Sequence, residues 1–293
     1  MRVPSAFDLA RHRMAPLAGA SPSATVFDYR DPAAAGIPEK HSFRLDVLVL
    51  DPDRRRARID GAPTDRIMFC LAGNVHVTQS GDDVSLRRWD CLALEASQAI
   101  DLARGDDAVE ARVLLLTPDP AAYAAAGRAA TVGGELGGAR LARWGQVKGY
   151  DDAFATSGTP GLEKRVFKIL NRGISAGAHV VPALPFEFPF AMSIIEMEAG
   201  KGATLHSHAT EEVFIPLDGA LDLFWGDSAE GMLRVAEHEL VSMPTGLMRG
   251  FRNENGRRFH MIALVGGWNR QSIDSVTYRS DSFPAISAKE PVA

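Results

Sequence analysis

The chain has 293 residues, with 32 basic and 37 acidic side chains and a formal charge of −5 at pH 7. Hydrophobic residues make up 46% and charged residues 24%, a composition that can bury a core and excludes a disordered chain. The length suits two medium domains or one large one, and the negative balance argues against general nucleic-acid or anionic-membrane binding.

The first twenty residues contain Arg2, Asp8, Arg11 and Arg13 and lack the apolar core of a secretory signal. No stretch approaches the ~18 uninterrupted apolar residues of a membrane span. Cys70 and Cys91 lie among Phe, Leu and Ala. They are expected as reduced, buried thiols in a cytoplasmic protein. The run Arg54–Arg56 with Arg58 is expected as a solvated loop or edge strand, the alternative being a local anion patch.

In chain order, the first strands are expected at Phe43–Leu50, Arg66–Leu71, Asn74–Gln79, Val84–Arg88, Cys91–Leu94 and Ala108–Thr117. Each is short, rich in β-formers and bounded by turn residues. Ala121–Arg128 reads as a short helix, broken by the Gly-rich stretch from Gly127 to Gly138. The Pro-rich run Pro182–Pro189 reads as a stiff connector. A second series follows at Phe190–Met197, Ala203–His208, Val213–Leu217, Ala220–Trp225, Met232–Val235, Leu240–Met243 and Phe259–Val265. Evenly spaced short strands of this kind point to all-β barrels or sandwiches.

The two series read as copies of one unit. The strand–Gly–strand block at Ile67–Val77 matches Glu212–Leu223, Leu86–Leu94 matches Val235–Met243, and Val109–Leu116 matches Arg258–Val265. The offset grows slightly between the first and second blocks, which implies a small insertion in the second copy's hairpin. A tandem repeat of one β-barrel unit follows.

His206 and His208 are two apart on a strand, so both imidazoles leave the same face. Glu212 opens the next strand after a turn that can bring its carboxylate beside them. Two imidazoles and a carboxylate make a divalent transition-metal site. Gly200 and Gly219 frame the set.

This pattern from Gly200 to Gly219 resembles the first signature motif of the cupin superfamily. The second motif lines up with His238 to Asn253, where Pro244, Gly246 and Asn253 match. Its opening Gly is His238 here, and its usual fourth metal-ligating His is Arg249. With the repeat, the resemblance is to the bicupins. It implies an all-β fold of two tandem cupin-type barrels, each a double-stranded β-helix or jelly roll, with short connectors. The expected division is a degenerate, metal-free N-terminal barrel over 1–125, a connector or arm over 126–185, a C-terminal barrel with the metal site over 186–270, and a tail over 271–293.

Arginine does not deprotonate to ligate a metal, so three outcomes stay open. His206, His208 and Glu212 bind metal with open positions, as in many non-haem Fe(II) oxygenases. His260 on the last strand replaces the missing ligand. Or the site holds no metal. Arg249 itself either clamps an anionic substrate as a catalytic group or salt-bridges Glu212 or Glu211, which would take that carboxylate from the metal. In the first copy, Asp60, Ala62, Arg66 and Ile100 stand where His206, His208, Glu212 and Arg249 stand in the second, a set no divalent ion selects. His76 has no companions and is expected to be structural. Met192, Phe214, Trp225 and Phe251 are either pocket lining or plain core.

The expectation is a metal-dependent enzyme of dioxygenase type using one divalent ion, Fe(II) first and Mn, Ni or Zn as alternatives. Its substrate would be a small, anionic organic acid or phenolic compound. The rivals are Lewis-acid isomerase, lyase or hydrolase chemistry and a non-catalytic small-molecule sensor. No nucleic-acid or membrane partner is expected. Edge-strand pairing, common in such barrels, would give a homodimer.

Overall fold

The computed structural model describes residues 11–13, 24–27, 30, 40–126, 132–171, 173, 175, 178–266 and 276–278. Most of the expected tail over 271–293, and the first part of the Gly-rich break after Gly127, lie outside the described residues.

Two short strands, β1 (Arg11–Arg13) and β2 (Ala24–Phe27), precede the first barrel. That barrel consists of β3 (Phe43–Leu50), β4 (Arg56–Ile59), β5 (Arg66–Ala72), β6 (Asn74–Gln79), β7 (Asp82–Arg87), β8 (Cys91–Leu94), β9 (Ile100–Arg104) and β10 (Ala111–Pro118). Helix α1 (Pro120–Ala125) follows. The Asp119 side chain accepts from the Ala121 and Ala122 amides and Pro stands in the first turn, which is a sequence-encoded start. The helix stops short of the expected Arg128.

The segment after α1 contributes β11 (Leu141–Ala142), β12 (Gly149–Tyr150) and β13 (Arg165–Leu170). The second barrel is β14 (Ala191–Met197), β15 (Gly202–His208), β16 (Glu212–Pro216), β17 (Leu221–Trp225), β18 (Gly231–Val235), β19 (Glu239–Met243), β20 (Arg249–Arg252) and β21 (Phe259–Val265), with β22 (Val276–Tyr278) beyond it.

Topology makes the repeat explicit. The order β8-β5-β10-β3 in one sheet recurs as β19-β16-β21-β14, and β4-β9-β6-β7 recurs as β15-β20-β17-β18. The fold is therefore two tandem cupin-type jelly rolls. Strands from outside the repeats extend them: β1 pairs β19, β2 pairs β3, β11 pairs β8, β13 pairs β14, and β22 pairs β15. The arginine-rich run at 54–58 falls partly on β4, an edge strand, where Arg58 pairs Asp101 on β9.

The two larger sheets pack face to face, and this dictates the sequence of their strands. On β14, Met192 and Ile194 join the core between barrels, whereas Ile195 and Met197 join the second barrel's interior. On β3, Phe43, Leu45 and Val47 face the inter-barrel core and Leu48 and Leu50 the first barrel's interior. Strands buried on both faces read as continuous apolar runs rather than alternating ones. Phe43, Phe188 and Phe190 meet edge to face or tilted in the inter-barrel core, each contributing about 1.5–3 kcal/mol by burial. His41 Nε2 and Ser242 Oγ, 2.8 Å apart, tie the sheets together.

Cys70 and Cys91 are buried free thiols, and burial pushes the Cys70 thiol up to about 12. Among the described residues, no helix is long and apolar enough to cross a membrane.

Candidate metal centre

Strand β15 carries His206 and His208 into the second barrel, and its placement depends on close backbone contacts. Gly202 packs so tightly against β20 that an added Cβ would sit 2.0 Å from the Phe251 carbonyl oxygen. Asn253 clamps the start of the strand: its amide donates to the Lys201 carbonyl, its carbonyl accepts from Gly200, and its Nδ2 donates to the Met197 and Arg257 carbonyls. At the other end, the Gly246 amide donates to the His208 carbonyl at 2.9 Å, with Gly246 in the left-handed region at φ +74°. The motif residues outside the ligand set thus fix strand ends rather than touch chemistry.

His206, His208 and Glu212 each offer a ligand atom, all within 4.8 Å of one another, and all three are buried. His206 Nδ1 bonds the Thr204 carbonyl at 2.7 Å, which directs its bare Nε2 at the cluster. Neither ring nitrogen of His208 has a hydrogen-bond partner among the described residues. A buried, unpartnered imidazole costs about 1–3 kcal/mol, and a metal ligand bond is the natural use of it. Burial first, then the Arg249 charge, pushes His206 down to about 3 and His208 well below the usual histidine range. Both rings are therefore neutral at pH 7, the form that ligates.

Arg249 is fully buried and lies against this set. Its Nη2 donates to Glu212 Oε2 at 3.0 Å, its Nε to the same oxygen at 3.3 Å, and its Nη1 to the Leu247 carbonyl at 3.1 Å. Of the two expectations for Arg249, the geometry is that of the ion pair with Glu212. Both bonds land on one carboxylate oxygen, so Oε1 takes no hydrogen bond among the described residues and can still ligate. Burial pushes the Glu212 carboxyl upward, while Arg249 and Lys168 pull it back. The residues fit a divalent ion held by two neutral imidazoles and one carboxylate oxygen, with Arg249 as the carboxylate's second partner.

The structure places four of the expected residues away from the cavity, His260, Met192, Trp225 and Phe214. His260 is not a substitute ligand: its Nδ1 lies 2.7 Å from Asp218 Oδ2 and its Nε2 3.1 Å from Glu196 Oε2, on the face of β21 opposite to the barrel-facing Met261. There it meets Trp89 and Trp144 at the inter-barrel contact. Met192 faces the inter-barrel core, because the parity of β14 turns it away from the barrel. Trp225 and Phe214 are interior core, with Phe214 packing 5.2 Å behind Phe251. Of the four expected pocket residues, only Phe251 lines the cavity.

The rest of the lining was missed by sequence reasoning. Beside the cluster is a partly open cavity lined by Ile195, Ala203 and Thr204 from the barrel, by Phe154, Thr156, Leu162 and Lys164 from the segment between barrels, and by Tyr278 from β22. Tyr278 stacks 5.9 Å from His206, and its hydroxyl hydrogen-bonds Thr156. In the first barrel, Arg66 occupies the place of Glu212, its guanidinium donating to the Asp60 and Gln98 carbonyls at 3.0 and 3.3 Å. Ile100 lies in that barrel's core. His76, exposed on β6, pairs with Ser85 Oγ across on β7.

No family model and no curated protein matches the chain. Solved structures do. The oxalate decarboxylase of Lactobacillus farciminis, in a formate complex, shares 14% identity at TM-score 0.56, covering 83% of this chain and 81% of that one. A salicylate 1,2-dioxygenase variant from Pseudoaminobacter salicylatoxidans, in complex with gentisate, shares 14% identity at TM-score 0.56, covering 80% and 73%. A cupin 2 conserved barrel domain protein from Leptotrichia buccalis shares 11% identity at TM-score 0.52, covering 85% and 92%. At these identities the likeness is one of fold, and that fold is the tandem cupin barrel.

Proposed function

We propose that the chain is a metal-dependent enzyme of oxidoreductase type whose second barrel binds one divalent ion, Fe(II) first, and acts on a small organic acid. The observation that carries this reading is the buried convergence of His206, His208 and Glu212, with neither nitrogen of His208 hydrogen-bonded among the described residues and its Nε2 3.6 Å from Glu212 Oε2. A two-histidine, one-carboxylate set leaves coordination positions for more than one small ligand. When bound, such an ion supplies Lewis acidity toward a substrate oxygen and, as Fe(II), electrons for O2.

The protein's own groups do the rest. His206 and His208 stay neutral at working pH and hold their lone pairs toward one point. Arg249 pulls the Glu212 carboxyl back toward its charged form against burial, which pushes it upward, and holds it in place. Phe251, Leu162 and Tyr278 line the cavity beside the cluster with apolar surface, where electrostatic contacts are stronger than in water. The wider resemblance to a decarboxylase and a dioxygenase supports a small-acid substrate by analogy of fold alone.

A second reading is favoured by one specific contact. Arg249 already neutralises Glu212, so a metal-free barrel that binds an anion without turnover has a stable charge arrangement. The test is anaerobic loading with Fe(II), then O2 consumption and product analysis with a panel of aliphatic and aromatic acids. Turnover that depends on His206 and His208 supports the enzyme; binding without turnover across the panel supports the second reading.

A further inference from the structure

The segment between the barrels brings an ammonium group to the cavity. Lys164, just before β13, is 8% exposed. Its Nζ donates to the Leu162 carbonyl at 2.9 Å and to the Gly202 carbonyl at 3.1 Å. Lysine carries three N–H donors, so one is left without an acceptor among the described residues, and the residue lines the cavity that also holds His206, His208 and Glu212. The loop is fixed in place: the Gly202 amide donates to the Gly161 carbonyl at 3.1 Å, and Lys201 pairs with Glu163 at 2.9 Å. That outer pair holds Glu163 outside the cavity, from where its charge still favours the Lys164 ammonium.

Position along β15 gives the cavity two ends. Lys164 is held at Gly202, where the strand begins, and His206 and His208 lie at its far end. His206 is four positions beyond Gly202, at most about 13 Å along the strand at ~3.3 Å per residue, with an irregularity in register between Ala203 and His206. The walls between are Leu162, Ile195, Ala203, Thr204 and Phe251, apolar apart from the Thr204 hydroxyl. A second buried lysine reinforces the positive field. Lys168 Nζ donates to Ser193 Oγ at 2.9 Å, and both ammoniums lie within 6 Å of the same Phe154 ring.

We propose that Lys164 is the anion-binding pole of this cavity, and that the ligand is a small organic acid carrying one anionic group for Lys164 and a second oxygen-bearing end for the metal cluster. This rests on the reading of His206, His208 and Glu212 as the metal end. Burial pushes the Lys164 ammonium down to about 8, so it is still protonated at pH 7 and gains from an anionic partner.

The experiment is calorimetric titration of the Mn(II)-loaded full chain with succinate, monomethyl succinate, acetate and benzoate, repeated on Lys164→Met and on Lys40→Met as a surface-charge control, Lys40 being an exposed partner of Asp119 beside the first barrel. Mn(II) binding is measured separately on each protein. Succinate is expected to bind wild type at least tenfold more tightly than acetate, monomethyl succinate or benzoate. Lys164→Met is expected to lose at least tenfold for succinate and less than threefold for acetate, with Mn(II) affinity unchanged, and Lys40→Met to stay within twofold of wild type. Succinate affinity indifferent to Lys164→Met would overturn the proposal. Should that variant fail to fold, equal affinity of wild type for succinate and its monomethyl ester would overturn it equally. Failure of wild type to bind Mn(II), with Lys164-dependent succinate binding intact, would sink the metal reading alone and leave the anion pole standing.

Discussion

Replacing Arg249 with Met removes the guanidinium that pairs with Glu212 while keeping most of the buried volume. The wild-type pair is enclosed, with side-chain exposures of 0% and 5%. Breaking such a pair by deleting one partner costs about 3–5 kcal/mol, because the other charge stays buried. Protonation sets a ceiling on that cost. Neutralising a carboxyl of reference pKa near 4.3 at pH 7 takes about 3.7 kcal/mol at 1.36 kcal/mol per unit, and only about 1 kcal/mol at pH 5. Burial already pushes the Glu212 carboxyl upward in the wild type, and losing Arg249 lifts it further above its unfolded value. The penalty is therefore absent below the unfolded pKa and grows as pH rises through it. A divalent ion at a hundred times its Kd would return about 2.7 kcal/mol by binding only the folded state. Urea unfolding of Arg249→Met at pH 7 and pH 5, with and without Mn(II), reads all three quantities. A variant as stable as wild type at pH 7 without metal would refute the reasoning, since Glu212 would then not depend on Arg249 for its charge.

Three further outcomes follow from the same geometry. Arg249→His supplies a third imidazole as fourth ligand and frees both Glu212 oxygens, so Mn(II) or Zn(II) affinity should rise by about tenfold or more, measured by competition with a chelating dye. His238 has φ +59° and its ring is pushed down to about 4, first by burial and then by Arg112 and Arg88. Its unfolded pKa near 6.5 is higher, so stability is full above pH 6.5 and lost as pH falls toward 4. His238→Asn, which tolerates the left-handed backbone, should flatten that acid limb by about 1 kcal/mol per pH unit; an unchanged limb in pH-dependent unfolding counts against the assignment. Gly202→Ala must push β15 off β20, because its Cβ meets backbone at 2.0 Å. Metal and succinate binding should both weaken by about tenfold or more if the two strands share the site, given about 1.4 kcal/mol per decade.

The fold was legible because turn residues and β-formers alternate at strand length, and because two series of strands run in one order. His206 and His208 were legible for a related reason: two residues apart on a strand is one face. Facing failed where burial is two-sided. Met192 and His260 sit on β14 and β21, whose inter-barrel and interior faces are both buried, so hydrophobicity carries no parity. The local clue for His260 was its cross-strand register with Glu196, which becomes visible only once β14 and β21 are known to pair. Lys164 and Tyr278 carry no motif at all. They reach the cavity through tertiary packing of a loop and a distant strand, with β22 pairing directly to His206 and His208. The left-handed turn at His238 recurs at Trp89, φ +70°, in the first barrel. A repeat-level constraint therefore holds this backbone where the second cupin motif would place a glycine.

Metal content measured by elemental analysis on tag-free protein, beside the His206→Ala/His208→Ala double variant, tests the central claim most directly. The account predicts close to one divalent ion per wild-type chain and none in the double variant. A wild-type protein that stays metal-free after anaerobic loading with Fe(II) or Mn(II) would contradict it, and the Arg249–Glu212 pair would then stand as the barrel's permanent charge arrangement.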